Sequence, residues 1–163
     1  MKKAMAATCE LARFPETIDA GQTYTRVDGL YAVHGRGHGA NSDGAEFVLD
    51  DGDIAVYRGE RTGDSSISPV YGRGEQAPSV PTGRVYLRFA AGVSAESHRA
   101  DIETADFIIE SIPGYAPHTA WVRHGSGDIA ESLRTVGRLK LIPGLESAEP
   151  QMLLPAVHKS HME

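Results

Sequence analysis

The run Arg84-Val-Tyr-Leu-Arg-Phe-Ala90 opens the stretch of sequence that decides the fold, residues 84–154. Apolar and polar side chains alternate along this run, which is the pattern of a β-strand with one buried face. Ser94 follows at a position suited to a helix N-cap and leads into the segment 95–105. The opening of the stretch therefore predicts a strand followed by a helix.

The remainder of the stretch predicts three more strands, at 106–112, 118–124 and 145–154, and a second helix at 129–141. Asp128 and Glu131 have the spacing of a capping box at the start of that helix. The resulting order is that of a ferredoxin-like βαββαβ sandwich, in which two helices cover one face of a four-stranded antiparallel sheet. The core is predicted to contain Phe89, Ile102, Phe107, Ile109, Leu133 and Val136.

The chain before this stretch is rich in short strands and turns. Strands are predicted at 24–27, 30–33, 45–49 and 54–58, with tight turns at Asp28-Gly29 and Asp51-Gly52. Residues 59–82 are rich in Gly, Ser and Pro, which is typical of a loop or linker. The fold class expected is α+β, with a short β-rich extension before the ferredoxin-like unit.

The expected organisation has five parts. They are an N-terminal segment 1–22 with a short helix around Met5, Leu11 and Phe14, a hairpin-rich extension 23–73, a linker 74–83, the ferredoxin-like domain 84–154 and a C-terminal tail 155–163. The extension is too small for an independent domain and is expected to pack on, or to extend, the sheet of the second part.

Composition excludes some classes of function. The 163 residues include 16 basic and 22 acidic side chains, for a net charge of -6, which argues against nucleic acid as a partner. No run of about 18 apolar residues exists that would span a membrane. The N-terminus resembles a bacterial lipoprotein signal ending at Cys9, but its apolar part is too short, so a cytoplasmic location is expected.

The segment His34-Gly-Arg-Gly-His-Gly39 contains two histidines four residues apart. On a helix they would share a face and could bind zinc, but three glycines disfavour a helix. A hairpin loop is the favoured interpretation, and metal or anion binding at His34 and His38 stays an alternative. The segment from Asp50 to Asp53 is interpreted as a turn, since it lacks the further ligands of an EF-hand loop. No metal or cofactor is expected.

Arginines recur on the predicted sheet at Arg84, Arg88 and Arg123. They are interpreted either as a patch for an anionic ligand or as partners of Glu110 and Glu149 in ion pairs. The aromatic-rich signature of RNA-binding sheets is absent. No Gly-x-Ser-x-Gly nucleophile elbow is present, and a Ser-His-Asp set is defined by geometry that the sequence does not show.

Three segments carry a family resemblance: Val85-Tyr-Leu-Arg-Phe-Ala-Ala-Gly-Val-Ser94, Ile129-Ala-Glu-Ser-Leu133 and Pro143-Gly-Leu-Glu-Ser-Ala-Glu-Pro150. Together they resemble the N-terminal prodomain of subtilisin-like serine proteases, especially the fervidolysin-like kind. The resemblance covers about 70 residues and implies a folding chaperone and inhibitor of a protease. It departs from the family in two places: the loop 113–117 has no acid, and Pro155 interrupts strand pairing in the tail.

The resemblance implies that the partner is a subtilisin-like serine protease, in cis or in trans, and that the C-terminal tail lies in its cleft as an extended segment. The residues implied in protease binding are Glu149, Met152, Leu153, Leu154, Pro155, Ala156, Val157 and His158. Residues from Met152 onward are expected to extend beyond the last strand, with Leu153 and Leu154 in substrate pockets. The alternative is that Leu153 and Leu154 finish the last strand and pack inward. The subtilase catalytic signatures are absent, which predicts a non-catalytic protein.

Two alternatives remain open at the level of the sequence. The first is a ferredoxin-like module that binds another protein, or itself, through a sheet face or an edge strand. The second is a small metal- or ligand-binding protein that uses the loop between His34 and His38.

Overall fold

The computed structural model of the chain describes residues 14–37, 39–41, 43–59, 66–74 and 77–155. These residues form two antiparallel sheets, of five and four strands, and two α-helices. The five-stranded sheet contains β1 (Thr17–Asp19), β2 (Thr23–Val33), β3 (Phe47–Leu49), β4 (Ile54–Arg58) and β5 (Ile67–Gly72). The rest comprises β6 (Val80–Phe89), α1 (Arg99–Thr104), β7 (Phe107–Ser111), β8 (Thr119–His124), α2 (Ile129–Leu139) and β9 (Leu145–Leu153).

The four-stranded sheet has the order β7-β8-β6-β9, and every pair in it is antiparallel. Both helices pack on one face, because Ile102 of α1 and Leu139 of α2 share a core cluster with the inward side chains of the strands. Phe89, Ile102 and Phe107 are fully buried there, as predicted. The predicted sequence of strands and helices is therefore confirmed for the C-terminal half.

The ends of the C-terminal elements differ from the predicted ones. Strand β6 begins at Val80, four residues inside the predicted linker. The first helix starts as a 3-10 turn at Glu96–His98, and no side chain caps it, so the predicted cap at Ser94 is wrong. The predicted cap at Asp128 is confirmed, since its Oδ1 accepts a hydrogen bond of 3.0 Å from the Ala130 amide.

Strand β2 is the centre of the five-stranded sheet. Strands β1 and β4 pair with different parts of one edge, and β5 pairs along the other edge. The predicted hairpin at Asp28-Gly29 is wrong, because β2 continues through these residues. A two-residue hairpin of the most common type needs positive φ at both central residues. Only Gly29 has one, at 86°, and it makes a bulge where the register to β5 shifts.

Strand β5 lies in the segment that the sequence predicts as a loop. Pro69 interrupts the strand pattern, and residues Ile67 to Tyr71 are buried on both faces, so the run shows no alternation. Pro69 lies opposite Tyr31, where the register shift of β2 accommodates the missing amide. The predicted turn at Asp51-Gly52 is confirmed as a 3-10 turn between β3 and β4, with positive φ at both residues.

The two sheets are joined through the start of β6. Tyr71 of β5 and Ser79 exchange two backbone hydrogen bonds, of 2.8 and 2.6 Å, immediately before β6 begins. Val80 then packs in a cluster with residues of the five-stranded sheet while pairing with Leu153 of β9. Strand β6 thus begins inside the segment 74–83, and its first residue contacts residues of both sheets.

Helix α2 contacts the N-terminal strands as well as its own sheet. A second cluster contains Phe14, Ile18, Tyr71, Ile129, Ala130 and Leu133, with Met152 packed against it. Leu133 is buried, as predicted, but in this cluster rather than in the core of the four-stranded sheet. Ile109 and Val136, which were predicted in that core, lie partly buried at its border.

The first turn of α2 lies directly over Gly83 of β6. An added Cβ at Gly83 would lie 3.4 Å from the Ile129 Cα, and its φ of +90° is one that other residues rarely adopt. Ser132 donates a 2.6 Å hydrogen bond from Oγ to the Gly83 carbonyl. Glycine at this position therefore allows the helix to approach the strand.

In the described part of the chain, neither helix is long and apolar enough to cross a membrane. The predicted N-terminal helix around Met5 and Leu11, and Cys9, lie outside the described residues.

The position of Leu133 between α2 and the N-terminal strands allows a stability test. Leu133→Ala is expected to lower the free energy of unfolding by about 2–5 kcal/mol, because it removes buried methyl groups and leaves a cavity. The exposed neighbour Arg134→Ala is the control and should change it by less than about 0.5 kcal/mol. Urea unfolding measures the free energy of unfolding of both variants. Equal losses from the two substitutions would show that the cluster does not stabilise the packing of α2 on the N-terminal strands.

Candidate functional site

The face of the four-stranded sheet opposite the helices carries polar and aromatic side chains. Along β6, Val85, Leu87 and Phe89 are buried against the helices, so Arg84, Tyr86 and Arg88 project from the other face. The register places Arg84 beside Arg123 and Tyr86 beside Trp121 of β8. On the other side of β6, Tyr86 is opposite Glu149 of β9. We call this surface the open face.

Glu110 organises the charges at one end of the open face. Its carboxylate lies 2.9 Å from Arg84 Nε and 2.6 Å from Arg123 Nε. The side chains of Arg84 and Arg123 are 32% and 35% exposed, and that of Glu110 is 28% exposed. Adjacent guanidinium groups repel each other, and the carboxylate between them offsets the repulsion. The predicted pairing of these arginines with Glu110 is confirmed, although such half-exposed pairs contribute only about 1 kcal/mol.

Aromatic rings continue the open face beside this charge cluster. The Arg84 guanidinium carbon lies 4.7 Å from the centre of the Trp121 ring, in cation–π contact. Tyr86 packs on the same ring with a centroid distance of 4.9 Å. Trp121 is therefore held between an arginine and a tyrosine on a half-exposed surface.

The rim of the open face is formed by strands β7 and β9. Ile108 on the edge strand β7 is 45% exposed. One interpretation of the sequence paired the arginines with Glu110 and Glu149. Arg88 instead forms its ion pair with Glu146, at 3.8 Å. Glu149 instead lies close to Gly21, where an added Cβ would be 3.3 Å from its Oε2. The N-terminal sheet therefore borders the open face at β9.

The structure places the residues predicted to bind a protease in two environments. Glu149, Met152 and Leu153 belong to β9, and Leu154 and Pro155 follow it. The expectation that Met152 and Leu153 lie beyond the last strand is wrong, because they pair with Pro81 and Val80 and pack on the clusters that join the sheets. Leu154 is 44% exposed. The predicted residues Ala156, Val157 and His158 lie outside the described residues.

His34 lies at the end of β2 and turns toward β5. Its backbone amide donates a 2.7 Å hydrogen bond to the Ser66 carbonyl, and its Nε2 lies 2.8 Å from Ser68 Oγ. Burial lowers the pKa of His34 to about 4, and the nearby carboxylate of Asp53 only partly opposes this shift. The imidazole is therefore neutral at pH 7.

The contact between His34 and Ser68 resembles the start of a nucleophile and base pair, but its hydrogen bonds run the other way. Ser68 Oγ donates to the Pro69 carbonyl at 3.0 Å. A hydroxyl has one proton, so while Ser68 Oγ donates to the Pro69 carbonyl it can only accept from His34 Nε2, in the tautomer that carries the proton there. Ser68 is also fully buried, which keeps substrates away. These contacts fit a structural hydrogen-bond chain between β2 and β5.

The loop after His34 is held by the turn between β3 and β4. Arg36 donates from its guanidinium to the Gly52 carbonyl at 3.0 Å, and the Gly37 amide donates to Asp53 Oδ1 at 2.8 Å. Within the described residues, no group of three or more His, Cys, Asp or Glu side chains is arranged to hold a metal ion. His38, the other predicted candidate, lies outside the described residues.

Comparisons of the chain with protein-family models, with curated proteins and with solved structures found no match.

The lowered pKa of His34 predicts a pH dependence of stability. The folded-state pKa is about 4 and the unfolded value about 6.5, so the unfolded chain binds more protons between these values. The free energy of unfolding is expected to fall by up to about 3 kcal/mol as the pH drops from about 6.5 to about 4. Above pH 6.5 the His34 side chain does not change the free energy of unfolding further.

The variant His34→Gln tests this effect, because it keeps a hydrogen-bond donor and removes the titration. Urea unfolding of both proteins across this pH range should show that the wild-type protein loses more stability than the variant. Parallel pH curves for the two proteins would contradict the buried, neutral state of His34.

Proposed function

We propose that this chain is a non-catalytic binding module, similar to the prodomains of subtilisin-like serine proteases, which binds such a protease through its open face. Its C-terminal half is then a ferredoxin-like unit. The support is the strand order β7-β8-β6-β9. Its two central strands, β6 and β8, are the first and third strands of the unit, and each is followed in sequence by a helix, α1 or α2. The proposal allows the protease to be in cis or in trans.

The observation that carries the proposal is that the open face exposes aromatic and arginine side chains. Both helices cover the other side of the sheet, while Trp121, Tyr86, Arg84 and Arg123 remain partly exposed. Tryptophan, tyrosine and arginine are the residues that most often dominate the binding energy of protein interfaces. These side chains are already held by Glu110 and by ring stacking, so binding costs less conformational entropy.

The residues after β9 are proposed to enter the protease cleft. Leu154 is exposed at the point where the chain leaves the sheet, and it is the first side chain available for a substrate pocket. Met152 and Leu153 are proposed to anchor the tail, since they are packed between the two sheets. The proposed cleft-binding segment is therefore shorter than the sequence suggests and begins at Leu154.

The absence of catalysis is part of the proposal. It is supported by the direction of the hydrogen bonds at Ser68 and by the burial of its hydroxyl. The cytoplasmic location and the lack of a metal or cofactor remain predictions from the sequence.

A second candidate function is self-association or binding of another protein with no link to proteases. It is favoured by strand β7, an edge strand of the four-stranded sheet that carries the exposed Ile108. Sedimentation of the purified chain, with Ile108→Lys as the comparison, separates this candidate. A dimer that the substitution disrupts would support edge pairing. The third candidate, ligand binding through His34 and His38, is less well supported because Ser68 occupies His34 Nε2.

Inhibition of subtilisin-like proteases tests the proposed function. The full chain is expected to inhibit at least one member of a panel of such enzymes, measured as the inhibition constant with a chromogenic peptide. Trp121→Ala should weaken that inhibition about thirtyfold, the effect of removing a residue that dominates an interface. Arg134→Ala, on the helix side of the molecule, is the matched control and should leave it unchanged.

Removal of residues 155–163 tests the tail separately. The truncated chain keeps all of β9, so its melting temperature should stay close to that of the full chain. Inhibition should fall by about tenfold or more, because the cleft segment beyond Leu154 is gone. If neither the full chain nor any variant inhibits a protease of the panel, the protease-binding proposal is rejected and the second candidate is the better account.

A further inference from the structure

A cavity of about 490 Å³ lies between the two sheets, beside the open face. One wall comes from the N-terminal sheet and contributes His34, Asp50, Asp53 and Ser66. The opposite wall comes from the C-terminal half and contributes Thr82, Arg84, Arg123, Gly127, Ile129 and Gln151. We call this space the junction cavity, and it has the size of a small-molecule site.

The two walls of the junction cavity carry opposite charges. Asp50 and Asp53 stand on the wall from the N-terminal sheet, and Arg84 and Arg123 stand on the wall from the C-terminal sheet. Among the described residues, no ion pair joins either aspartate to either arginine, whose ion pairs are with Glu110. The cavity is therefore bipolar, with acidic and basic groups separated by solvent-accessible space.

The basic wall retains hydrogen-bond donors. Glu110 accepts a hydrogen bond from Arg84 Nε and lies 2.6 Å from Arg123 Nε, which makes no hydrogen bond of good geometry. The terminal amino groups of planar guanidinium groups are suited to a carboxylate. The start of α2, at Gly127 and Ile129, lies on the same wall and adds the partial positive charge of a helix N-terminus.

The acidic wall retains an acceptor and carries no competing positive charge from the histidine. Asp53 uses Oδ1 for the Gly37 amide, so its other carboxylate oxygen is not committed to that bond. His34 beside it is neutral at pH 7 because burial lowers its pKa to about 4. An ammonium group at this wall would therefore meet aspartates beside a neutral imidazole. The guanidinium of Arg36 donates to the Gly52 carbonyl and does not line the cavity.

We propose that the junction cavity binds a small zwitterion, namely a free amino acid or a short peptide with both termini unblocked. The carboxylate of the ligand pairs with Arg84 and Arg123, and its ammonium group pairs with Asp53 and Asp50. A ligand of one charge would be attracted by one wall and repelled by the other, whereas a zwitterion satisfies both. The junction cavity shares Arg84 and Arg123 with the open face, but the inference of zwitterion binding does not rest on the proposed function.

The first experiment screens the full chain against the common amino acids and a set of dipeptides and tripeptides made from them, by thermal shift. At least one compound is expected to raise the melting temperature, since a ligand that binds only the folded state stabilises it. The best compound is then measured by calorimetry, together with its N-acetylated and C-amidated forms. Each blocked form should bind at least about tenfold more weakly, because each loses one charge-assisted contact.

Two substitutions assign the binding to the junction cavity. Asp53→Asn keeps the acceptor for the Gly37 amide, and Arg123→Gln leaves the pair between Arg84 and Glu110. Each should weaken binding about tenfold or more without lowering the melting temperature of the free protein by as much as Leu133→Ala does. Asp28→Asn, an exposed aspartate outside the cavity, is the matched control and should bind as the wild-type protein does.

The proposal is overturned if no compound of the screen binds, if either blocked form binds as tightly as the free one, or if folded Asp53→Asn and Arg123→Gln both bind normally. Protease inhibition is measured on the same proteins. Inhibition by Asp53→Asn at the wild-type level, together with lost zwitterion binding, separates the junction cavity from the open face.

Discussion

The close approach of helix α2 to strand β6 at Gly83 is the constraint on which the rest of the structure depends. The helix can reach the strand only because no side chain stands between Gly83 and Ile129. This contact places Ile129, Ala130 and Leu133 where the N-terminal strands can pack on them. The same strand also bends here, since its register to β9 shifts between Pro81 and Val85. One glycine thus permits both the sheet packing and the junction of the two sheets.

The open face follows from that arrangement. Both helices lie on one side of the four-stranded sheet, and the N-terminal sheet takes the end where β6 begins, which leaves the other face of the sheet uncovered. The register of β6 and β8 then forces Arg84 and Arg123 to be neighbours. Glu110 resolves the resulting repulsion from the next strand. The chemistry of the surface is therefore a consequence of the strand register and not of local sequence.

The sequence predicted the elements whose signals are local. The cap at Asp128 and the alternation at Val85, Leu87 and Phe89 were sufficient to find α2 and β6. Prediction from the sequence missed β5, because burial on both faces and Pro69 remove the period-two pattern of a strand. It also predicted a hairpin at Gly29, where pairing with β5 produces a bulge instead. The contact between His34 and Ser68 joins residues distant in sequence, so no spacing rule could have indicated it. The sequence left open whether Leu153 packs inward or extends into a protease pocket, and the sheet junction places it inward.

The cluster that contains Phe14, Ile18, Tyr71 and Met152 has a consequence for synthesis on the ribosome. Its N-terminal members emerge long before Met152 and the α2 residues that cover them. Until β9 has left the ribosome, these apolar side chains lack their native partners, and the edges of the early strands are available to other chains. Vectorial synthesis therefore makes this protein dependent on late-emerging residues, and chaperone holdases that bind exposed apolar segments would act mainly on its first half.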